Sequence, residues 1–400
     1  MSAFSQPLLS VGKSFSGTSH ANSSVSMRLS LRDSQAPQAE LQFGNSAMPL
    51  LKIRKALVTG SGGLIGSSCA RLLLELGWQV VGIDNNMREW FFGPAASTLP
   101  VLDSLRGLPN YRHYQIDIRS RREINDIVRE ERPDLIVHAA AQPSHDKAAS
   151  IPFDDFDINA VGTLNILVAA REWCRDSPFF LMSTNKVYGD RPNGLKLRET
   201  ETRYDYSVDE DGIDESMSID QCLHSVFGAS KVAADVLCQE FARYFNMPVG
   251  IFRAGCVTGP AHAAVELHGF LAYIVDCAVN QRPYVIFGHK GKQVRDQIHS
   301  ADVAALVLDF SHRPRVGEVY NLGGGRANSI SVLETISLLR GMGVNLEYSV
   351  DARSRTGDHI CYISNLAKLK AHFPGWRINH SLPKIVEELI EHRSRLRNLR

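Results

Sequence analysis

The sequence is short of paired cysteines, of long apolar runs and of net charge. Its seven cysteines are scattered, odd in number and include no Cys-x-x-Cys pair. That argues against a disulfide framework and suits reduced thiols in a cytoplasmic protein. No stretch approaches the roughly 18 consecutive apolar residues of a membrane span, so no membrane partner is expected. Lys and Arg total 44 against 43 Asp and Glu, a formal charge of +1, which offers nucleic acid no electrostatic handhold. The one basic run, Arg393 to Arg400, reads as a solvated helix end whose cations suit the helix dipole. Histidines and cysteines lack metal-ligand spacing, so no metal is expected.

The first 47 residues are short of acids, with only Asp33 and Glu40, and show no sustained hydrophobic period. Rich in serine, they are expected to be disordered. An acid-poor, serine-rich start also fits an organelle transit peptide, though arginine is scarce. A third reading is an overcalled start, since Met48-Pro49-Leu50 runs directly into the first strand. The remaining length suits two domains or one elaborated α/β domain. The expectation is α/β, a doubly wound parallel sheet of Rossmann type over 48–250. A smaller C-terminal α/β substrate domain follows over 251–400, with some segments returning to the core.

The richest signal present is glycine. Ile53 to Thr59 reads as a strand, Gly60-Ser61-Gly62-Gly63-Leu64-Ile65-Gly66 as a loop, and Cys69 to Leu76 as a helix. Strand, glycine loop and helix form the context of a dinucleotide fingerprint. Gly60 permits the tight turn, Gly63 lets the backbone approach a pyrophosphate, and Gly66 lets helix pack on strand. The helix start, Leu64 and Ile65, then offers amides to phosphate. A second strand ends in Asp84-Asn85, with an acid placed to accept from ribose hydroxyls and repel a 2′-phosphate. NAD is therefore expected over NADP. Leu135 to Ala141 reads as a buried strand running into the small-residue loop Ala139-Ala140-Ala141, which passes close to the dinucleotide. His138 reads as a packed strand-end residue.

Further segments are specific as a set. They are Asp157 to Thr163 (containing Asn159), Met182-Ser183-Thr184-Asn185-Lys186-Val187-Tyr188-Gly189, Gly291 to His299, and Tyr320 to Gly325. Over roughly Lys52 to Ile390 the chain resembles extended short-chain dehydrogenases of the NAD-dependent epimerase/dehydratase family, within it most nearly the CDP-tyvelose (CDP-paratose) 2-epimerases. The resemblance implies a tightly held NAD, a nucleotide-diphosphate sugar substrate, transient oxidation to a ketosugar, and return of hydride to the other face. It places the catalytic threonine, tyrosine and lysine at Thr184, Phe227 and Lys231, and adds Asn159 and Lys231 to the cofactor contacts. Asp117-Ile118 falls where the family reaches the adenine amine. A homodimer is implied, paired through the helices after Asn159 and after Phe227. Sugar 4,6-dehydratases usually carry an acid pair after that threonine. Asn185 and Lys186 are not carboxylates, which disfavours that mechanism.

Phe227 is the departure that matters most. A tyrosine four residues before Lys231 would share its helical face, and the ammonium would favour its phenolate. Phenylalanine has no proton to exchange. Three explanations stand: a neighbouring base, with His224 first and Tyr188, Ser225 and Lys231 behind it; a base on the substrate; or a protein that binds NAD and sugar nucleotide without turnover. Another NAD-linked nucleotide-sugar dehydratase or reductase is the alternative enzyme.

In the substrate half, Arg295 and Arg355 are the diphosphate candidates, since guanidinium forks match phosphate oxygens. Cys256 stands where many relatives have asparagine against the sugar phosphate. Tyr284 lies on a short strand near the nucleobase site. Glu266 to Val279 reads as a helix, and Asp302 as the cap of a helix over 302–308. The acidic insert, Glu199 to Cys222, is expected either to hang over the sugar site or to be a solvated loop.

Overall fold

The structure is a computed structural model that describes residues 54–207, 211–263, 265, 269–353 and 358–398. Apolar runs flanked by glycine and polar turns form the central strands, buried on both faces as parallel sheets require. β1 (Lys55–Thr59) leads through α1 (Leu64–Glu75) to β2 (Gln79–Ile83). Next come α2 (Met87–Phe92), α3 (Leu99–Arg106), β3 (Tyr111–Tyr114), α4 (Arg121–Glu131) and β4 (Leu135–His138). The chain continues through α5 (His145–Ala148), α6 (Pro152–Phe156), a wider turn at Asp157–Val161 and α7 (Gly162–Trp173) into β5 (Phe179–Thr184).

A short hairpin follows, β6 (Leu197–Glu199) with β7 (Tyr204–Tyr206), and then the long helix α8 (Ser225–Phe245). β8 (Val249–Ala254) returns to the sheet. After it come β9 (Cys256–Thr258), α9 (Phe270–Val279), β10 (Tyr284–Phe287), β11 (Val294–His299) and α10 (Ser300–His312). β12 (Val319–Leu322), β13 (Ser329–Ser331), α11 (Val332–Gly341), β14 (Tyr348–Asp351), β15 (Cys361–Tyr362), α12 (Ala367–His372) and α13 (Leu382–Asn398) complete the order.

The sheet runs β12-β8-β5-β4-β1-β2-β3, all parallel. This is the doubly wound Rossmann-type order. Ala56, Val58, Phe180 and Phe252 point to the face covered by α1 and α10, with Leu73, Val303 and Phe310. Leu57, Ile136, Leu181 and Ile251 point to the other, covered by α4, α7 and α8. The alternation is the period-2 signature of a strand. Beyond the sheet, β9, β11, β13 and β15 make a smaller sheet. α9, α11 and α13 build a separate apolar cluster.

Several local expectations are corrected. The first helix starts at Leu64, directly on the glycine loop, rather than at Cys69. The helix expected from Glu266 begins at Phe270, and Glu266 itself lies outside the described residues. Asp302 does not cap its helix. α10 starts at Ser300, and the His299 imidazole accepts from Ala301 N (3.1 Å) as the cap. Asp302 is instead buried and binds the later chain, accepting from the amides of Asn379 and His380 (both 3.2 Å).

The described residues of the acidic insert do not hang over the site. Asp209 and Glu210 lie outside the described residues. Its described residues pack on the smaller sheet, where Ile213 bridges Ser364, and on β12 of the large sheet, where Glu215 accepts from Asn321 N (2.6 Å). None of its described residues lines the cavity.

Candidate active site

One long cavity opens along the carboxyl ends of β1, β2, β4, β5 and β8 and continues over β9 and β11. Ligands of such sheets bind at that edge. At one end lies the glycine loop. Gly60 has φ +67°, and a Cβ there would stand 2.8 Å from Ala140 N. A Cβ on Gly66 would meet Gly60 O at 2.1 Å. Only glycine lets loop, strand and helix close this tightly. No side chain caps α1, so its first amides are left to a ligand, as in anion-binding helix starts.

Asp84 braces that loop, accepting from Gly62 N at 2.9 Å and from Asn86 N at 2.8 Å. Asn85 donates to Asp117 at 3.0 Å, and Arg119 holds the same carboxylate at 2.9 Å. Burial works against Asp117's charge, but Arg119 and Asn85 outweigh it and hold the carboxyl below its ordinary value. Gly60, Gly63, Leu64, Ile65, Gly66, Asp84, Asn85, Asp117, Ile118 and Ala139 to Ala141 all line the cavity. They make a cradle whose shape and donors fit a dinucleotide.

Asn159 is placed differently. It is buried off the lining, where its side chain accepts from Gln142 N (3.0 Å) and donates to Ser230 Oγ (3.0 Å). Ser230 donates to Asp155, a buried carboxyl that burial pushes up. This network locks α8 against the turn before α7 and so sets the height of Phe227 and Lys231.

The middle of the cavity holds Thr184, Phe227 and Lys231. Lys231 is buried and donates to Met182 O at 3.2 Å; burial lowers its pKa. Phe227 is only 7 % exposed. His224 is not with them. Its Nε2 sits 2.9 Å from Val187 O, and it is outside the lining. Tyr188 lies behind the wall, fully buried, bonded to Asn321 at 2.8 Å, and burial pushes its hydroxyl up to about 12. His138 is wedged between Thr59 (2.7 Å) and Thr163 (2.8 Å). Burial, helped by Lys231, drops its pKa to about 3.

At the far end, Arg295 and Lys186 converge on one oxygen of Asp358, at 2.6 and 3.1 Å. Burial opposes Asp358's charge, yet the two cations hold its carboxyl well below the ordinary range. Burial and Arg295 lower Lys186, with Asp358 opposing. Cys256 is beside them, its thiol pushed up to about 11 by burial. Cys256, Tyr284 and Arg295 line the cavity; Arg355 lies outside the described residues.

Asp358 was missed in sequence. Its only signal was its place three residues after Arg355, and its partners lie far away in the chain. Also unforeseen is the group His299, His380 and Glu388, whose ligand-type atoms fall within 4.8 Å of one another. His299 Nδ1 is engaged by Ala301 N and His380 Nδ1 lies 2.9 Å from Asp302. The group thus reads as a strut tying α10 to α13.

The model of the NAD dependent epimerase/dehydratase family matches residues 56–323. CDP-paratose 2-epimerase of Salmonella typhi is 32% identical over 323 residues, covering 79% of this chain and 92% of that one. UDP-glucose 4-epimerase of Neisseria meningitidis serogroup B is 30% identical over 348 residues, covering 84% and 96%. Among solved structures, UDP-glucose 4-epimerase of Thermotoga maritima with UDP-glucose superposes with TM-score 0.71 at 24% identity, covering 86% of this chain and 100% of that one. UDP-glucuronic acid 4-epimerase of Bacillus cereus, with UDP-glucuronic acid and NAD, gives 0.70 at 22% identity, covering 86% and 99%.

Proposed function

The chain belongs to the NAD-dependent epimerase/dehydratase family, with NAD as its cofactor, and on that premise we propose that it epimerises a nucleotide-diphosphate sugar, in the manner of CDP-paratose 2-epimerase. The observation that carries the reading is a single cavity joining a dinucleotide cradle to a cationic end at Arg295, with Thr184 and Lys231 between them.

Bound NAD supplies a two-electron acceptor that is regenerated within the turnover. The residues of the chain do the rest. The glycine loop and the first amides of α1 hold the pyrophosphate, and Asp84 the adenosine ribose. Arg295 receives the sugar diphosphate, exchanging Asp358 for phosphate oxygens. Thr184 orients the hydroxyl to be oxidised. Lys231, held by Met182 O, sets the positive potential along that wall.

Asn185 and Lys186, in place of carboxylates, favour epimerisation over dehydration. Phe227 favours one second reading, binding of NAD and sugar nucleotide without turnover.

Proton NMR of the purified protein with CDP-, UDP-, GDP- and dTDP-sugars, repeated with Phe227→Tyr, separates the two. Conversion of one sugar nucleotide to its epimer by the unmodified chain supports the proposal. Inertness of the native chain beside an active Phe227→Tyr variant would establish the binding-only reading.

A further inference from the structure

We propose that Arg88 and the segment 259–263 form a clasp over the dinucleotide, which must open for NAD to enter or leave. The segment follows β9. Its start lies against the cofactor loop, since a Cβ on Gly259 would stand 3.5 Å from Leu64 Cδ1, on the first residue of α1. Its end lies on α2, where the Arg88 guanidinium donates to Ala263 O at 2.8 Å. Arg88 follows shortly after Asp84, the acid that braces Gly62. The segment thus runs from the helix start that receives the pyrophosphate to the side that receives the adenosine ribose. Arg88, Ala261, His262 and Ala263 all line the cavity, so the bond joins its two banks at the cofactor end.

The clasp is anchored on both sides. On α2 the Arg88 guanidinium lies over the Phe92 ring, 5.0 Å from its centroid. Burial pulls its pKa to about 10, which leaves it charged at neutral pH. A hydrogen bond from a charged donor is roughly twice as strong as a neutral one. On the segment, His262 is buried, and its ring fills the space beside Gly269, where a Cβ would stand 2.3 Å from His262 Cε1. The carbonyl of His262 accepts from Arg393 of α13. Arg393 is not among the lining residues. Two arginines, one lining the cavity and one behind it, therefore grip adjacent carbonyls of the same segment.

A clasp and a direct contact differ in what they do to rates. A group that touches NAD stabilises the complex alone, so its loss speeds release and weakens binding in step. The Arg88–Ala263 bond joins protein to protein, so opening it is a step common to entry and exit. Its loss speeds both and leaves Kd nearly in place. Retention matters to the epimerase reading, in which the NAD that takes a hydride must return it. The clasp itself requires only that NAD binds, whether or not a sugar is turned over.

The test loads the purified chain with radiolabelled NAD and times its release into unlabelled NAD. Entry is timed by rapid mixing and Kd is read by calorimetry, for the native chain, Arg88→Met, Arg88→Lys and Arg393→Met. Arg88→Met should release NAD roughly 10- to 100-fold faster, the worth of one hydrogen bond to a charged group. It should also take NAD up faster, with Kd changed far less. Arg88→Lys keeps the charge with fewer donors; it should raise both rates by less, and it carries the test if Arg88→Met does not fold. Arg393→Met, outside the cavity, should move both rates in the same direction.

Unchanged release in the Arg88 variants would overturn the clasp. Faster release without faster entry would also overturn it and make Arg88 a direct contact of the cofactor. A silent Arg393→Met would overturn the role of the segment. A native chain that takes up no NAD would remove the premise and the clasp with it.

Discussion

Asp235 and Arg253 close a two-pronged ion pair inside the protein, at 2.9 and 3.1 Å, with the Asp235 side chain fully buried. The pair joins α8 to β8. Asp235 also accepts from Ser183 Oγ at 2.7 Å, and Arg253 reaches Tyr188 Oη at 3.2 Å. One buried network thus sets both ends of the turn that presents Thr184 and Lys186.

Removing one partner of such a pair leaves a lone charge in the interior. Asp235→Ala should cost about 3–5 kcal/mol of stability, read by urea denaturation. Arg253→Met should cost less when made with Asp235→Leu than alone, because the pair is replaced rather than broken. Additive losses in the double variant would contradict this account.

Gly66→Ala tests the dinucleotide cradle. Its new methyl group would overlap Gly60 O, a backbone atom that cannot swing aside. Expected are a loss of roughly 1–3 kcal/mol from overpacking and a sharp fall in co-purified NAD, measured by absorbance after denaturation. Full NAD occupancy in the variant would show that the loop is not the binding element.

His138 predicts an acid-side stability slope. Its folded pKa of about 3 lies below the ~6.5 of an ordinary histidine. Between those values the unfolded chain binds the extra proton. Stability from this site is therefore full above about pH 6.5 and drains as pH falls toward 3, by up to about 1.4 kcal/mol per unit. Urea unfolding of the native chain and of His138→Gln from pH 7 to 4 should give a flatter slope for the variant. Parallel slopes would refute the assignment.

Apolar side chains on α8 face outward, among them Val236 at 39 % and Tyr244 at 81 % exposure. We propose that this helix pairs with its copy in a homodimer. Val236→Glu/Tyr244→Glu should give a monomer by light scattering with little loss of monomer stability. A native chain already monomeric at micromolar concentration would dismiss the pairing. Among the described residues, no helix is long and apolar enough to cross a membrane.

The cofactor half was legible because its signals are local. Glycines, a strand and a following acid lie within one stretch of chain, and the sterics at Gly60 and Gly66 leave few alternatives. Thr184, Phe227, Lys231, Cys256, Tyr284 and Arg295 were also placed, through the resemblance, and line the cavity; the ion pairs at its far end were not legible, because their partners are distant in sequence. Lys186 meets Asp358 and Arg295 through tertiary packing alone. His224 was a plausible base until the fold gave its ring to Val187 O. Asp302 had the sequence position of a cap, but the chain at Asn379–His380 took its carboxylate instead. The insert's acidity gave no hint that Ile213 would anchor it on the smaller sheet.

The strand order also has a consequence for biosynthesis. β1 to β5 and β8 are all made by residue 254, yet the edge strand β12 comes only at Val319–Leu322. The helix α10 that covers one sheet face beside α1 arrives only at Ser300–His312. While the ribosome adds those residues, at about 5–20 per second, the nascent sheet carries an open edge and an apolar face. The sheet is therefore completed late in translation, and a ribosome stalled before β12 holds a chain whose unpaired β8 edge is open to pairing with a neighbour.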